Sequence, residues 1–216
     1  PYPLSDNAVY SLFKDVEGGI WAATYFGGLS YYHPRLSVFK KYFPNSASDA
    51  ISGNAVREIC KDEYGDLWVG TEDAGLNKIE KTPGKITSFR SAPKKGALSS
   101  DSVHGLLAQG KELWVGTFER GLDILDIKTG KVIRHYGAES SSSGLKTNFI
   151  NVLYKTKSKI IYAGTERGLY ANDPVADRFR LTEGLPGDCY VTTLLEDHEE
   201  TLWVGTVRNG VFFKER

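Results

Sequence analysis

The sequence has no methionine, only two cysteines (Cys60 and Cys189) and no net charge, with 27 basic and 27 acidic residues among 216. Because translation starts with methionine, its absence predicts a processed chain or a segment of a longer protein. Two cysteines cannot form a disulfide framework or a cysteine-based metal site, and their redox state stays open. Balanced charge argues against nucleic acid or an anionic membrane as the main partner. No run approaches about 18 apolar residues, so no membrane-spanning helix is expected.

The sequence is instead rich in glycine, with 23 residues, and is built from an internal repeat. The pentapeptide Leu67–Thr71 recurs unchanged at Leu113–Thr117 and Leu202–Thr206, with weaker copies at Ile20–Thr24 and Ile161–Thr165. An aliphatic residue precedes each copy, at Val9, Val56, Val103, Ile150 and Val191, with spacings of 47, 47, 47 and 41 residues. A period near 45 residues with short runs punctuated by glycine is typical of a β-propeller with four-stranded blades.

The second repeat is predicted to contain four strands, at 56–61, 67–71, 76–80 and 86–90. The first strand of each repeat is ambiguous, because apolar residues such as Val191, Leu194 and Leu195 have the spacing of a helix. These runs are only about six residues long, below the usual length of a helix. Since β-branched residues and glycine turns flank them, we predict strands.

The repeat predicts an all-β fold of about five blades, over residues 5–51, 52–98, 99–145, 146–186 and 187–216. Only 13 residues follow Trp203, whereas 33 separate Trp21 from Asn54. The last blade is therefore predicted to lack its fourth strand, and the chain to be an arc of a larger ring. One large aromatic residue per repeat is predicted to pack between neighbouring sheets. These residues are Trp21, Trp68, Trp114, Tyr162 and Trp203.

The repeat resembles a known family. An apolar strand followed by D-x-x-G-x-[LI]-W-x-G-T-x-x-x-G-L is similar to the two-component regulator propeller repeat. Residues 61–71, with Gly75 and Leu76, fit this consensus almost completely, and residues 14–21 also fit. The third copy shortens the turn before its tryptophan, and the fourth has Tyr162 in place of tryptophan.

The resemblance implies a seven-bladed ring in the periplasmic sensor of a hybrid two-component regulator from Bacteroidetes. It implies an oligosaccharide ligand and a signal passed to a histidine kinase elsewhere in the parent chain. It also implies further blades, a second propeller and a homodimeric parent as the partners of this segment. No kinase residue lies in this chain, so the segment itself is expected to be non-enzymatic and to need no cofactor or metal.

Candidate ligand-binding residues lie in the loops between the second and third strands, which are predicted to share one face with the connections between blades. Aromatic rings stack on sugar rings, and charged side chains bind hydroxyl groups. The candidates are Tyr25, Phe26, Asp73, Phe118, Glu119, Arg120, Glu166, Arg167 and Arg208. Two other interpretations fit the same residues: ordinary exposed loop side chains, and docking to a neighbouring domain.

Motifs of catalysis are scarce. There is no G-x-S-x-G, no H-E-x-x-H and no histidine pair at ligand spacing. Residues 105–111 match the start of a phosphate-binding loop, but Glu112 stands where serine or threonine is needed, so we treat the match as chance. The strands expected to line the channel carry Arg57, Glu58, His104 and Asn151, a set too mixed to predict an active site. A propeller enzyme, such as a lyase or glycosidase, and a scaffold for protein partners remain the alternatives.

Overall fold

The computed structural model describes residues 4–33, 39–45, 50–82 and 85–215, and within these ranges it contains strands and turns but no helix. The 19 described strands form five antiparallel sheets, in each of which the strands follow one another in chain order. The predicted all-β class is therefore confirmed. Since no helix occurs in the described ranges, none there could span a membrane.

Four of the sheets have four strands and the fifth has three in the described part of the chain. The first contains β1 (Val9–Lys14), β2 (Ile20–Thr24), β3 (Leu29–Tyr32) and β4 (Phe39–Tyr42). The second contains β5 (Val56–Lys61), β6 (Leu67–Thr71), β7 (Leu76–Ile79) and β8 (Ile86–Phe89). The third contains β9 (Val103–Gln109), β10 (Glu112–Thr117), β11 (Leu122–Asp126) and β12 (Lys131–Tyr136). The fourth contains β13 (Ile150–Lys155), β14 (Ile161–Thr165), β15 (Gly168–Asp173) and β16 (Arg178–Leu181), and the fifth contains β17 (Val191–Glu196), β18 (Leu202–Thr206) and β19 (Val211–Lys214).

The first strands of successive sheets are neighbours, so the sheets are arranged as the blades of a propeller. Strand β1 contacts β5, β5 contacts β9, β9 contacts β13, and β13 contacts β17. The first strand of each blade is therefore the innermost and lies beside the central channel. This arrangement confirms the predicted propeller architecture.

A β-bulge near the start of every inner strand explains the helix-like spacing of its apolar residues. In β5, Val56 pairs with Thr71 and Glu58 pairs with Gly70, which leaves Arg57 as the extra residue. The same shift occurs in β1, β9, β13 and β17. An extra residue at this point turns the first and fourth residues of the strand toward the same face. Val56 and Ile59 accordingly lie in one core cluster between the first two blades.

In the first four repeats the aromatic residue packs against these same two positions in the next blade. Trp21 lies in a cluster with Val56 and Ile59, and Trp68 lies in one with Val103 and Leu106. Trp114 and Tyr162 occupy the equivalent clusters of the next two interfaces. These four side chains are buried, whereas Trp203 is 39% exposed. Trp203 differs because no described sheet covers its face of the fifth blade.

Backbone hydrogen bonds join each blade to the next. The amide of Gly75 donates to the carbonyl of Asp101 at 2.7 Å, and Gly121 donates to Asn148 at the same distance. The side chains of Asp101 and Asn148 accept from Ser91 and Ala138, ten residues earlier. The side chain of the residue that opens each of these blades thus binds backward to the end of the preceding blade.

Candidate functional site

The predicted candidates lie at one end of the propeller, which we call the loop face. This face comprises the loops 25–28, 72–75, 118–121, 166–167 and 207–210. The start of each inner strand is paired with the end of the second strand, as in Val56 with Thr71. The bulged residues therefore lie at the same end of the blades as these loops. The loop face and the mouth of the channel are adjacent.

The structure places the predicted residues in different surroundings. The ring of Phe118 packs 5.3 Å from that of His104 and 4.6 Å from that of Phe149, while Tyr25 packs 4.1 Å from Phe26. Four other candidates, Glu119, Arg120, Arg167 and Arg208, are exposed loop residues.

Two acidic candidates bind neighbouring groups of the protein itself. Glu166 accepts a hydrogen bond from the hydroxyl of Thr147 at 2.9 Å. Asp73 accepts from the amide of Asn54 at 3.2 Å and so helps to join the second blade's loop to its inner strand. Glu166 and Arg167 also line a shallow depression of about 440 Å³ with Gly187 and Asp188.

Four polar side chains from three blades meet at the channel mouth, and we call them the polar cluster: Arg57, Glu72, His104 and Asn151. The Arg57 guanidinium donates to Glu72 at 2.6 Å and to the Asn151 side-chain oxygen at 2.9 Å. His104 Nε2 lies 3.7 Å from the same Glu72 oxygen. The Asn151 amide donates to the carbonyl of Val191 at 3.0 Å. The hydrogen bond between Arg57 and Asn151 joins the second blade to the fourth and bypasses the third.

Three aromatic rings border the polar cluster, and we call them the aromatic rim: Phe118, Phe149 and Tyr190. Phe149 packs edge-on against both of the others, with ring centroids 4.6 Å and 5.6 Å away. Phe118 and Phe149 both contact the His104 ring. The rim therefore joins the polar cluster to the exposed surface, since Phe118 is 41% exposed.

Two ionisable side chains near the channel have pKa values far from their usual ones. Burial, aided by the positive charge of Arg57, lowers the pKa of His104 to about 4, so this imidazole is neutral at pH 7. Burial raises the pKa of Glu58 to about 8, although Arg57 opposes the change. The Nε of Arg57 and the Nδ1 of His104 are buried and have no hydrogen-bond partner among the described residues.

Neither a reactive cysteine nor a metal site is found among the described residues. Cys60 and Cys189 are free thiols, and burial raises the pKa of both, which disfavours the nucleophilic thiolate. Among the described residues, no three histidine, cysteine, aspartate or glutamate side chains come close enough to hold a metal ion.

Sequence reasoning named Arg57, His104 and Asn151 but did not assemble them into a site. The signal was their common position: each directly follows the aliphatic residue that opens an inner strand. Phe149 and Tyr190 directly precede that aliphatic residue and were not identified. Neither position shows which side chains meet, because that depends on the curvature of the ring.

The fold and the channel mouth define a β-propeller whose inner strands present polar residues at one end. The two component regulator propeller family model matches residues 3–26, 50–73 and 184–208. These three segments therefore match the two-component regulator propeller repeat, which confirms the resemblance noted in the sequence. A search of curated protein sequences found no match.

Solved structures with the same fold include two extracellular domains of hybrid two-component systems from B. thetaiotaomicron. The chain is 22% identical to that of BT3049, with a TM-score of 0.77 over 98% of this chain and 34% of that one. It is 19% identical to that of BT4673, with a TM-score of 0.81 over 97% and 29%. The chain thus spans about a third of the length of these domains.

An enzyme also shares the fold. A catalytically inactive virginiamycin B lyase from Staphylococcus aureus is 12% identical, with a TM-score of 0.70 over 98% of this chain and 71% of that one. At such identities the likeness establishes the fold alone, so the choice between sensor and enzyme depends on the repeat family and the site.

Proposed function

We propose that this chain is part of the extracytoplasmic, periplasmic sensor region of a two-component regulator, and that it helps to bind an oligosaccharide. The match to the two-component regulator propeller family carries this proposal. The similarity to extracellular domains of such systems supports the location. The polar cluster and aromatic rim support the ligand class, because they offer hydrogen-bonding groups beside the exposed ring of Phe118.

In this proposal the chain does not catalyse a reaction. Ligand binding shifts the parent protein between two states of different affinity, and a histidine kinase elsewhere in the parent responds. Such a shift requires that the ligand contact the two states differently. The bond from Arg57 to Asn151 links the second and fourth blades and supplies a contact that a ligand could alter.

Calorimetric titration with a panel of oligosaccharides tests the proposal. We expect saturable heat with at least one glycan and none with amino acids or peptides of similar size. Absence of heat with every glycan, together with binding of a peptide, would favour the scaffold alternative. Consumption of a glycan without added enzyme would favour the lyase or glycosidase alternative.

We further propose that the five blades are part of a larger ring. In the described interfaces an aromatic residue of one blade is covered by the first and fourth residues of the next inner strand. Trp203 is 39% exposed, and Val9 and Leu12, which occupy those two positions in the first blade, are 41% and 68% exposed. A further sheet of the same repeat would fit both faces.

Sedimentation of the isolated chain tests whether these faces are adhesive. We expect association that increases with concentration and that Leu12→Lys or Trp203→Lys weakens. Val175→Lys is the control, since Val175 is 95% exposed and lies in the turn between β15 and β16. A chain that stays monomeric at all concentrations would count against the larger ring.

A further inference from the structure

We propose that the polar cluster at the channel mouth is the specificity site of this propeller and binds the terminal ring of a neutral saccharide. The inference rests on the proposed sensor function and adds to it a position and a ligand class. A single ring would enter the mouth, with its hydroxyl groups against Arg57, Glu72 and Asn151 and one face near the aromatic rim.

The bulges bring polar side chains of three blades together at the channel mouth. A bulged residue leaves the regular alternation of a strand, so its side chain need not enter the apolar packing between two sheets. Arg57, His104 and Asn151 are the bulged residues of three consecutive blades. The 2.9 Å contact between Arg57 and Asn151 shows that these side chains extend toward one another across the mouth.

Incomplete hydrogen bonding indicates where a ligand would interact. Buried polar atoms are nearly always paired, because leaving one without a partner is costly. His104 is only 7% exposed, yet its Nδ1 has no partner among the described residues, and the same is true of the Arg57 Nε. A sugar hydroxyl both donates and accepts, so it can pair with a neutral imidazole or with a guanidinium when a rotation of the side chain brings the buried atom to the channel.

The charge of the cluster favours a neutral ligand. Arg57 and Glu72 form an ion pair at 2.6 Å, and His104 is neutral at pH 7. The cluster therefore has no net charge to attract an anion, and the Glu72 carboxylate would repel the carboxylate of a uronic acid. Donors and acceptors held side by side instead suit the vicinal hydroxyl groups of a neutral pyranose.

The rim supplies the apolar contact that a pyranose needs. Phe118 is 41% exposed and is held by a tilted ring contact with His104 and an edge contact with Phe149. Such a ring is large and rigid, so it can stack on the apolar face of a sugar at small entropic cost. The other exposed aromatic residue of the loop face, Phe26, packs on Tyr25 in the first blade.

Binding of neutral and acidic probes to the full chain tests the inference. The probes are maltotetraose, cellotetraose, xylotetraose and mannotetraose, with trigalacturonate as the acidic comparison. We expect one neutral probe to bind, and Arg57→Gln and Phe118→Ala each to weaken it about tenfold or more. Arg120→Gln, which changes an exposed arginine on the same face, is expected to alter affinity less than about twofold.

Each outcome separates the site from the general function. Neutral binding that survives both Arg57→Gln and Phe118→Ala would overturn the proposed site but not the sensor function. Binding of trigalacturonate alone would overturn the neutral ligand class. Binding of no glycan would overturn both. Because Arg57→Gln could disturb folding, thermal unfolding is compared for every variant, and Phe118→Ala provides a second test at a half-exposed side chain.

Discussion

At the scale of single residues, the same motif occupies unequal environments. The indole of Trp68 donates to Asp62 at 2.8 Å, and that of Trp203 donates to Asp197 at 2.7 Å. Both aspartates stand six residues before their tryptophan. Asp62 is buried, whereas the pair at Trp203 is exposed. The sequence predicted the positions of the tryptophans but not this difference, which depends on whether another blade covers the sheet.

This contrast provides a matched pair of substitutions. Asp62→Ala is expected to lower the free energy of unfolding by about 1–3 kcal/mol, because it leaves a buried indole N–H without an acceptor. Asp197→Ala should cost less than about 1 kcal/mol, since water can replace the lost acceptor. Urea denaturation of both variants measures the difference. Equal losses would mean that the aspartates act mainly by shaping their turns.

Glu58 is expected to make stability depend on pH. Burial raises the pKa of this carboxyl to about 8, from 4.5 in an unfolded chain. Between these values the folded state holds a proton that the unfolded state has released, so the free energy of unfolding falls as pH rises and levels off above about pH 8. Glu58→Gln cannot ionise, so its stability advantage over the native chain should grow by about 1–2 kcal/mol between pH 6.5 and 8.

The titration of His104 also makes stability depend on pH, so its contribution must be separated from that of Glu58. Its lowered pKa of about 4, against 6.5 when unfolded, makes stability fall as pH drops through that window, which is the opposite direction. Comparing the native chain with Glu58→Gln above pH 6.5 excludes the histidine, and thermal melts at each pH supply the measurement. A stability difference that does not change with pH would show that Glu58 is not protonated in the folded chain.

At the scale of elements, the strands of the second blade were predicted almost to the residue. The predicted ranges 76–80 and 86–90 each end one residue beyond β7 and β8. Glycine turns and short β-branched runs made this possible. The bulges could not be predicted, because residues at the first and fourth positions fit a helix as well as a bulged strand. Only the register between paired strands shows which residue is extra.

The turn between β6 and β7 packs closely against the end of β8, and this contact requires glycine at position 75. Gly75 has φ of +78°, and a Cβ at this position would collide with the carbonyl oxygen of Phe89 at the end of β8. Gly210 has nearly the same φ, +76°, but open space around it. The two positions therefore separate the cost of backbone strain from that of a collision.

Gly210→Ala is expected to cost about 1–2 kcal/mol, the price of a left-handed conformation for an L-residue. Gly75→Ala should cost more, because either the turn or the end of β8 must also move. Chemical denaturation of the two variants gives the comparison. Equal destabilisation by the two substitutions would show that moving the end of β8 costs no free energy.

At the scale of the whole molecule, the sequence assigned the candidates to the loops between second and third strands but could not show which side chains meet. That Arg57 would reach Asn151 follows from the angle between successive blades and not from their spacing in the sequence. The same geometry separates Phe118, which borders the cluster, from Arg120, two residues later and exposed. The repeat therefore predicts which residues occupy these positions, whereas the arrangement of the blades decides which of their side chains meet.

The packing of blades against one another implies a gradient of stability along the chain. In an array whose units pack mainly on their neighbours, a unit covered on both faces opens less often than one covered on a single face. All five residues of β6 are buried, whereas in β18 only Leu202 and Val204 are. Among the second strands of the blades, amide hydrogen exchange in the dilute chain should accordingly be slowest in β6, β10 and β14, and fastest in β18. Protection of β18 equal to that of β10 would mean that another copy covers the fifth blade, and Trp203→Lys should then remove that protection while leaving β10 unchanged.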